Sequence, residues 1–415
     1  MRTIHRSMRR VAVAGVASVA FAGCSTDVKD PTVVQASTID PVADARVFSL
    51  SGQQNFYVAY GAFINNTANY SNETWSGAVR NETNDIARHV IVDTNVDLSG
   101  SFWAPMQTAI GTNDQVVTVL KGTPTFNTDI AAARSSLWSG LAVEALAEIF
   151  CQGVLHVGPA LTPAQMLDSA IVRLQLAATI AGGITSAEAT KIVNIARVGL
   201  ARAYLQKGDN ANALTAANLV PAAFVATTVQ VDDPQARGRL SNGVFISSSG
   251  TTQIVADPFR LLADPRVPWV DAGINAQDGR NRLYRQTKFP SFAAPIRIAS
   301  GLEARYIAAE AQLKINGNTA PALTLIAERR TAGSQPPFAG TTTAAVLAEL
   351  MQQRARDFWL EGKKLGDLRR NPTVPLAAVL TDPVGATFYA SGSATFGSTF
   401  CVPIPPEETN ANPNF

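Results

Sequence analysis

The densest group of ionisable side chains lies in the stretch ARDFWLEGKKLGDLRR, residues 355–370, where eight of sixteen residues carry a formal charge. In the whole chain only 16% of the residues are Asp, Glu, Lys or Arg. Carboxylates beside basic groups can transfer protons in catalysis, and they can equally hold packed helices together. The position of the charges on a helix distinguishes these two interpretations.

A helix over this stretch brings Arg354 and Glu361 onto adjacent turns of one mostly apolar face. Charges that are partly buried on such a face persist only when they are paired or hydrogen-bonded. Asp367 and Arg369 follow in the turn after Gly362 and are natural partners. We therefore predict an ion-pair and capping cluster that ends the helix at Gly362, and not an acid–base site. Its members are Arg354, Asp357, Glu361, Gly362, Asp367 and Arg369.

The residues of common catalytic sites are scarce elsewhere in the chain. Beyond residue 23, His89 and His156 are the only histidines, and no HExxH, CxxC, GxSxG or phosphate-loop motif is present. We predict no catalytic residue, no metal site and no cofactor, and hence a protein that is not an enzyme. A glycosidase needs only two carboxylates, so a surface glycosidase stays open as the least favoured function.

The first residues have the composition of an export signal. Four arginines precede the apolar run VAVAGVASVAF, which is too short to span a bilayer, and the order FAGC closes it. Because that order resembles a bacterial lipobox, we predict a signal peptide over residues 1–23 and a lipidated Cys24. Ordinary secretion with cleavage near Ala22 is the alternative. Acyl chains would attach the protein to the membrane through a tether over residues 24–39.

The charge balance gives no support for a polyanionic partner. Removal of residues 1–23 deletes four arginines and no acidic residue, which changes the formal net charge from +2 to −2. We therefore predict that the protein does not bind nucleic acid.

Three cysteines are present, and acylation of Cys24 would leave Cys151 and Cys401 for a disulfide. Two small buried apolar side chains are an equally good interpretation of this pair. The spacing alone does not decide between the two.

Apolar residues recur at helical spacing over most of the chain. Asp40 and Pro41 start a helix to about Ile64, and a helix pair around Gly208 is similar to a tetratricopeptide-type repeat. We predict a mostly α-helical fold with a tetratricopeptide-like scaffold and a loop-rich portion. The single domain spans residues 40–415, with the scaffold at about 40–64, 100–220 and 302–370 and the loop-rich portion at about 65–99, 221–300 and 371–415.

Four ordered motifs resemble those of the SusD/RagB family of outer-membrane nutrient-binding lipoproteins. The charged segment resembles the family form R-x-x-E-L-x-x-E-G followed by x-R-x-x-D-L-x-R, although Asp357 and Lys364 replace a glutamate and an arginine. The other motifs are an A-E-A run, a D-P-R triplet and a closing P-I-P-x-x-E-x-x-x-N-P-N. They lie at residues 309–311, 264–266 and 403–414.

The resemblance implies a function as well as a fold. Members sit at the cell surface on the outer membrane, where they bind oligosaccharides or other nutrients and pass them to a TonB-dependent, SusC-like transporter without cleaving them. We expect the same localisation and partners here. A repeat-type envelope scaffold without a small ligand is the main alternative.

Sugar recognition requires aromatic faces against the rings and amides or charges for the hydroxyls. Exposed aromatics in polar segments are therefore the candidates for ligand binding. Trp75 is the first choice, and Trp269 and Tyr284 follow. The polar candidates beside them are Asn72, Asn81, Arg280 and Asn281. Trp103, Trp138 and Trp359 lie on helix faces and are predicted to be packed.

Overall fold

The computed structural model describes residues 40–372, 388, 395–399 and 401–415. The chain divides into two compact units, residues 1–44 and 45–415, and of the first the structure describes residues 40–44. The predicted signal peptide, Cys24 and the tether lie outside the described residues. None of the described helices is long and apolar enough to span a membrane.

Helices make up most of the described chain, as the sequence predicts. The α-helices are α1 (Pro41–Tyr70), α2 (Asn81–Ala87), α3 (Ala104–Lys121), α4 (Ile130–Ile149), α5 (Pro163–Gly182), α6 (Ala187–Gln206), α7 (Asn210–Asn218), α8 (Arg237–Leu240), α9 (Gly243–Ser249), α10 (Asp257–Arg260), α11 (Gly301–Asn316), α12 (Ala320–Ala332), α13 (Thr343–Asp357), α14 (Lys364–Arg370) and α15 (Pro406–Ala411). A π-helical turn over Leu98–Trp103 precedes α3.

Small residues allow the long helices α4, α5 and α6 to pack closely. A Cβ atom at Gly140 of α4 would lie 2.9 Å from Leu174 of α5, and one at Gly199 of α6 would lie 2.9 Å from Leu141. Helix α4 is buried along its length from Ala131. The close helix packing agrees with the predicted tetratricopeptide-like scaffold.

Among the described residues, six short strands form three antiparallel pairs. The strands are β1 (Thr74–Ser76), β2 (Val225–Thr227), β3 (Gln253–Val255), β4 (Trp269–Asn275), β5 (Arg282–Gln286) and β6 (Arg297–Ser300). They pair as β1–β3, β2–β6 and β4–β5. In β1–β3, Trp75 lies opposite Ile254, and in the β4–β5 hairpin Asp271 lies opposite Tyr284.

Two predicted helix ends are wrong. Helix α1 starts at Pro41 as predicted, and its first amides donate to the Asp40 carboxylate, but it continues to Tyr70 instead of ending near Ile64. The following segment, predicted as irregular, forms β1 and α2. Helix α13 ends at Asp357, and a turn leads to Gly362, whose φ of 69° is in the left-handed region that favours glycine.

The structure resolves the alternatives for the cysteines. Cys151 and Cys401 form a disulfide, with their Cα atoms 5.0 Å apart. The amide of Cys151 donates to the carbonyl of Val402 beside it. The disulfide and this hydrogen bond together join the end of α4 to the carboxy-terminal residues.

Candidate functional site

The charged segment forms several buried ion pairs. Arg354 and Glu361 are each 2% exposed. The Nε of Arg354 donates to Asp367 at 2.7 Å, as predicted. Glu361 accepts two bonds of 2.8 Å from Arg297 and one of 2.7 Å from Lys288, and these two cations come from the chain before α11.

The pKa values of the two partners of Glu361 follow from burial and pairing. Burial lowers the pKa of Lys288, and the Glu361 carboxylate only partly offsets this effect. For Arg297 burial opposes the charge, but the same carboxylate outweighs it and raises the pKa. The carboxylate therefore favours the charged form of both cations, and it outweighs burial only for Arg297.

Asp357 is a second carboxylate of the same segment that binds several side chains. Its carboxylate accepts from Arg329 at 2.7 and 2.9 Å, from Arg266 at 3.1 Å and from the hydroxyl of Tyr306 at 2.5 Å. Arg266 also binds Asp264 at 2.7 Å, so the D-P-R triplet is joined to the charged segment. Burial, and next the Asp357 carboxylate, raise the pKa of Tyr306.

One predicted partner is wrong. Arg369 does not pair with Glu361, because its guanidinium reaches the backbone carbonyl of Glu148 at 2.6 Å at the end of α4. The carboxylate of Glu310 in the A-E-A run instead binds Arg370 at 2.7 and 2.8 Å. These ion pairs and hydrogen bonds join α4, α11, α13 and α14, as the predicted structural role of the charges requires.

The sequence did not predict a further network of buried ion pairs. Arg202 on α6 bridges Glu144 on α4 at 2.9 Å and Glu303 on α11 at 2.8 Å. Burial raises the pKa of Glu144 to about 8, because a single arginine bond does not offset it and Glu148 adds repulsion. Burial also acts on Glu303, but Arg202, Lys363 and Arg354 outweigh it and lower its pKa to about 2.

The first aromatic candidate, Trp75, lies on strand β1. It is half-buried and packs against a small apolar cluster of Ile254, Ala276 and Leu283. Tyr284 packs against the same cluster. Pairing of β1 with β3 therefore brings together two aromatics that are more than 200 residues apart in the sequence.

Trp269 and Tyr284 meet on the β4–β5 hairpin. Their ring centroids are 5.4 Å apart in an edge-to-face arrangement. The guanidinium of Arg260, at the end of α10, lies 4.2 Å from the Tyr284 ring centroid and pairs with Asp257 at 2.8 Å. The indole nitrogen of Trp269 donates to the Arg260 carbonyl at 3.1 Å.

We call Trp75, Trp269, Tyr284 and Arg260 the aromatic face. The three aromatic side chains are each partly exposed, which leaves ring surface for a ligand. Arg260 was not predicted, since nothing in its local sequence shows that it stacks on a distant tyrosine.

The four polar candidates differ in how exposed they are. Asn72 is only 2% exposed, whereas Asn81 is exposed at the start of α2. Arg280 and Asn281 lie at the tip of the β4–β5 hairpin, where the Asn281 side chain donates to Asp278 at 2.7 Å. Arg280 is exposed. Their roles in binding stay predictions. Trp103, Trp138 and Trp359 are buried, as predicted.

Comparison with known proteins supports the family resemblance. Residues 296–415 match the model of the SusD family, which includes three of the four motifs; the D-P-R triplet lies outside it. No curated protein matches the chain. The solved structures it resembles share its fold over about nine-tenths of its length.

Three of these structures illustrate the likeness. A SusD superfamily protein from Parabacteroides distasonis has a TM-score of 0.69 at 16% identity and covers 91% of this chain and 98% of its own. A SusD-like carbohydrate-binding protein from Bacteroides vulgatus has a TM-score of 0.67 at 15% identity, with 90% and 97% covered. A laminarin-binding SusD-like protein has a TM-score of 0.65 at 14% identity, with 90% and 99% covered.

The chain therefore has the same fold as these solved structures, which is mostly helical with short strand pairs. The match over residues 296–415 and the likeness of the fold confirm the predicted resemblance to the SusD/RagB family.

Proposed function

We propose that the protein binds an oligosaccharide, or a similar nutrient, on the aromatic face and does not cleave it. The observation that carries the proposal is that Trp75 and Tyr284, chosen from separate polar segments, pack against one small apolar cluster, and that Trp269 contacts Tyr284. Aromatic rings bind the apolar faces of pyranose units. Arg260 stacks on the Tyr284 ring and offers no unpaired charge, since Asp257 neutralises it.

Neutral glycans suit this surface best. Arg282 pairs with Asp271 at 2.8 Å on the same hairpin, and Arg260 is also paired. Apart from the exposed Arg280 at the tip of the hairpin, a ligand with many negative charges would therefore find few free cations there. Because one similar structure is described as laminarin-binding, oligosaccharides of laminarin are a reasonable first probe.

We further propose that the protein is anchored by acyl chains on Cys24 at the surface of the outer membrane. From there it would deliver the ligand to a TonB-dependent, SusC-like transporter. The lipobox, the SusD family match over residues 296–415 and the fold support this part of the proposal.

Calorimetric titration of the mature chain with neutral oligosaccharides tests the binding. Trp269→Ala should lower the affinity about tenfold, which corresponds to about 1.4 kcal/mol of binding free energy. The matched control is Trp103→Phe, a change at a buried tryptophan outside the aromatic face. Absence of binding across the probes would favour the envelope scaffold, and hydrolysis of the probe would favour the glycosidase.

Extraction of membranes with detergent tests the delivery role. The full-length protein should co-purify with a TonB-dependent transporter, and Cys24→Ser should release it from the membrane. Extraction of the protein without any transporter would contradict this part of the proposal and leave the sugar binding untouched.

A further inference from the structure

A small internal cavity lies between α1, α4, α6 and the turn at Gly362. All the residues that line it are buried. The space that the centre of a water-sized sphere can occupy is about 10 Å³, and about 10–15 Å³ of such space is needed for one water molecule. The cavity therefore has the size of a site for a single water molecule.

Two polar side chains of the cavity wall already have partners. The guanidinium of Arg202 binds the carboxylates of Glu144 at 2.9 Å and Glu303 at 2.8 Å. The hydroxyl of Tyr60 donates to the backbone carbonyl of Glu361 at 2.7 Å. These bonds hold both side chains in place and do not depend on any further ligand.

Lys363 lines the same cavity, and its ammonium group has no hydrogen-bond acceptor among the described residues. The side chain is buried, and its nearest described carboxylate oxygen, on Glu303, lies 3.9 Å from Nζ, which is too far for a hydrogen bond. Nζ also lies 5.5 Å from the centroid of the Tyr60 ring, a contact that attracts a cation but leaves its donors unused. Burial of a charged donor without an acceptor is unfavourable.

Glu148 supplies the matching acceptor on the same wall. One of its carboxylate oxygens accepts from the side chain of Gln206 at 2.9 Å, and the other has no donor in the described part of the chain. Although Glu148 and Lys363 both line the cavity, they form no direct ion pair. Polar groups that face a common space without touching can be joined by a bridging water molecule.

We infer that this cavity is a binding site for one structural water molecule, which accepts a hydrogen bond from Lys363 and donates one to Glu148. Lys363 directly precedes α14, and Glu148 lies in the last turn of α4. The water molecule thereby links the charged segment to α4, beside the bond from Arg369 to the Glu148 carbonyl. This site is independent of the proposed function.

Water suits the cavity better than an ion does. A small anion would lie beside the carboxylates of Glu144 and Glu148, and a metal cation would lie beside Arg202 and Lys363. A neutral molecule that both accepts and donates avoids the repulsion in either case. Cavities that stay dry are lined by apolar groups, whereas this one presents a donor and an acceptor.

A crystal structure of the mature chain, at a resolution that shows ordered water, tests the site directly. We expect one peak of electron density within hydrogen-bond distance of Nζ of Lys363 and of the Glu148 carboxylate. Crystals soaked in rubidium bromide should show no anomalous peak in the cavity. An anomalous peak there would show that the site binds an ion. A cavity without density, or a direct bond between Lys363 and Glu148, would also overturn the proposal.

The variant Lys363→Met tests which side chain holds the water molecule. Because it keeps a long unbranched side chain and removes the donor, the density peak should disappear. The matched control is Lys121→Met, at an exposed lysine in the last turn of α3, in which the peak should stay. Thermal melting confirms that each variant is folded. A peak that persists in Lys363→Met would refute the assigned role of Lys363, and the wild-type density decides the proposal if this variant does not fold.

Discussion

The ion pairs of the helical scaffold and the aromatic face differ in how their polar groups are used. In the scaffold, Glu361 and Asp357 are buried, and each has at least two cationic partners. On the aromatic face the rings are partly exposed, and Arg260, which stacks on Tyr284, is already paired with Asp257. The region richest in charge is thus the one least able to meet a ligand.

This difference teaches that local charge density is a poor guide to a binding site. Buried ion pairs leave an unpaired charge inside the fold when one partner is lost, and the cost falls on stability. Partly exposed rings contribute little to the core but offer surface to a ligand. Substitutions in the two regions should therefore separate into those that change the free energy of unfolding and those that change affinity.

The largest effect is expected from Glu361→Ala. It leaves Arg297 and Lys288 buried without their carboxylate, which should lower the free energy of unfolding by about 3–5 kcal/mol. Chemical denaturation measures the loss. The matched control is Glu328→Ala, because Glu328 and its partner Arg305 are 44% and 40% exposed and such a pair contributes about 0–1 kcal/mol. Equal losses in the two variants would contradict the account.

Removal of the disulfide should have the next largest effect. The double variant Cys151→Ala, Cys401→Ala opens a loop of 250 residues and should lose about 2–4 kcal/mol of stability. The affinity of the folded protein for a saccharide should be unchanged, since neither cysteine belongs to the aromatic face. Denaturation of the oxidised wild type and of the variant checks the stability, and calorimetry checks the affinity. A variant that keeps its stability but loses affinity would reverse the expected pattern.

Tyr284→Ala should lower the affinity for a saccharide more than it lowers the free energy of unfolding. It removes the ring that contacts Trp269 and Arg260, so the affinity for a saccharide should fall about tenfold, or about 1.4 kcal/mol. Tyr284→Phe keeps the ring and should bind nearly as well as the wild type. Calorimetric titration of both variants measures the difference, and similar losses in both would show that the hydroxyl matters and stacking does not.

The last prediction concerns pH, and it is measured as a slope and not as a single loss of stability. The folded pKa of Glu144 is about 8, above its ordinary value of 4.5. Between these values the folded chain keeps a proton that the unfolded chain has lost, so this group makes stability fall as pH rises from about 4.5 to about 8. Glu303 has a folded pKa of about 2. Its contribution to stability is complete above pH 4.5 and is lost as pH falls below that value.

Glu144→Gln should therefore flatten the decline in stability between about pH 5 and 8. The change in slope should be below about 1.4 kcal/mol per pH unit, the limit for one proton. Denaturation midpoints across this range measure the slope, and Glu328→Gln is the exposed control. An unchanged slope would show that Glu144 is ionised in the folded protein.

The sequence predicted those features that depend on neighbouring residues. The start of α1 at Pro41 and the Arg354–Asp367 pair depend on short spacings, and both are present. The partners of Glu361 were missed because they lie 64 and 73 residues away, and only tertiary packing brings them close. Helix α1 was predicted too short because its last residues, rich in Asn and Thr, have weak helix propensity and gain stability from burial.

In the candidate site, too, the sequence predicts local features and misses those that depend on tertiary packing. Each of Trp75, Trp269 and Tyr284 could be selected from its polar surroundings. Their convergence depends on the pairing of β1 with β3, which no local spacing specifies.

One pair of titrations tests the central claim most directly, that binding lies on the aromatic face and the charged segment only supports the fold. Trp269→Ala and Glu361→Gln are titrated with the neutral trisaccharide that binds the wild type best, well below their melting temperatures. The account predicts an affinity loss of about tenfold for Trp269→Ala and none for Glu361→Gln, which melts at a lower temperature. Unchanged affinity in Trp269→Ala, or a loss in folded Glu361→Gln, would contradict it.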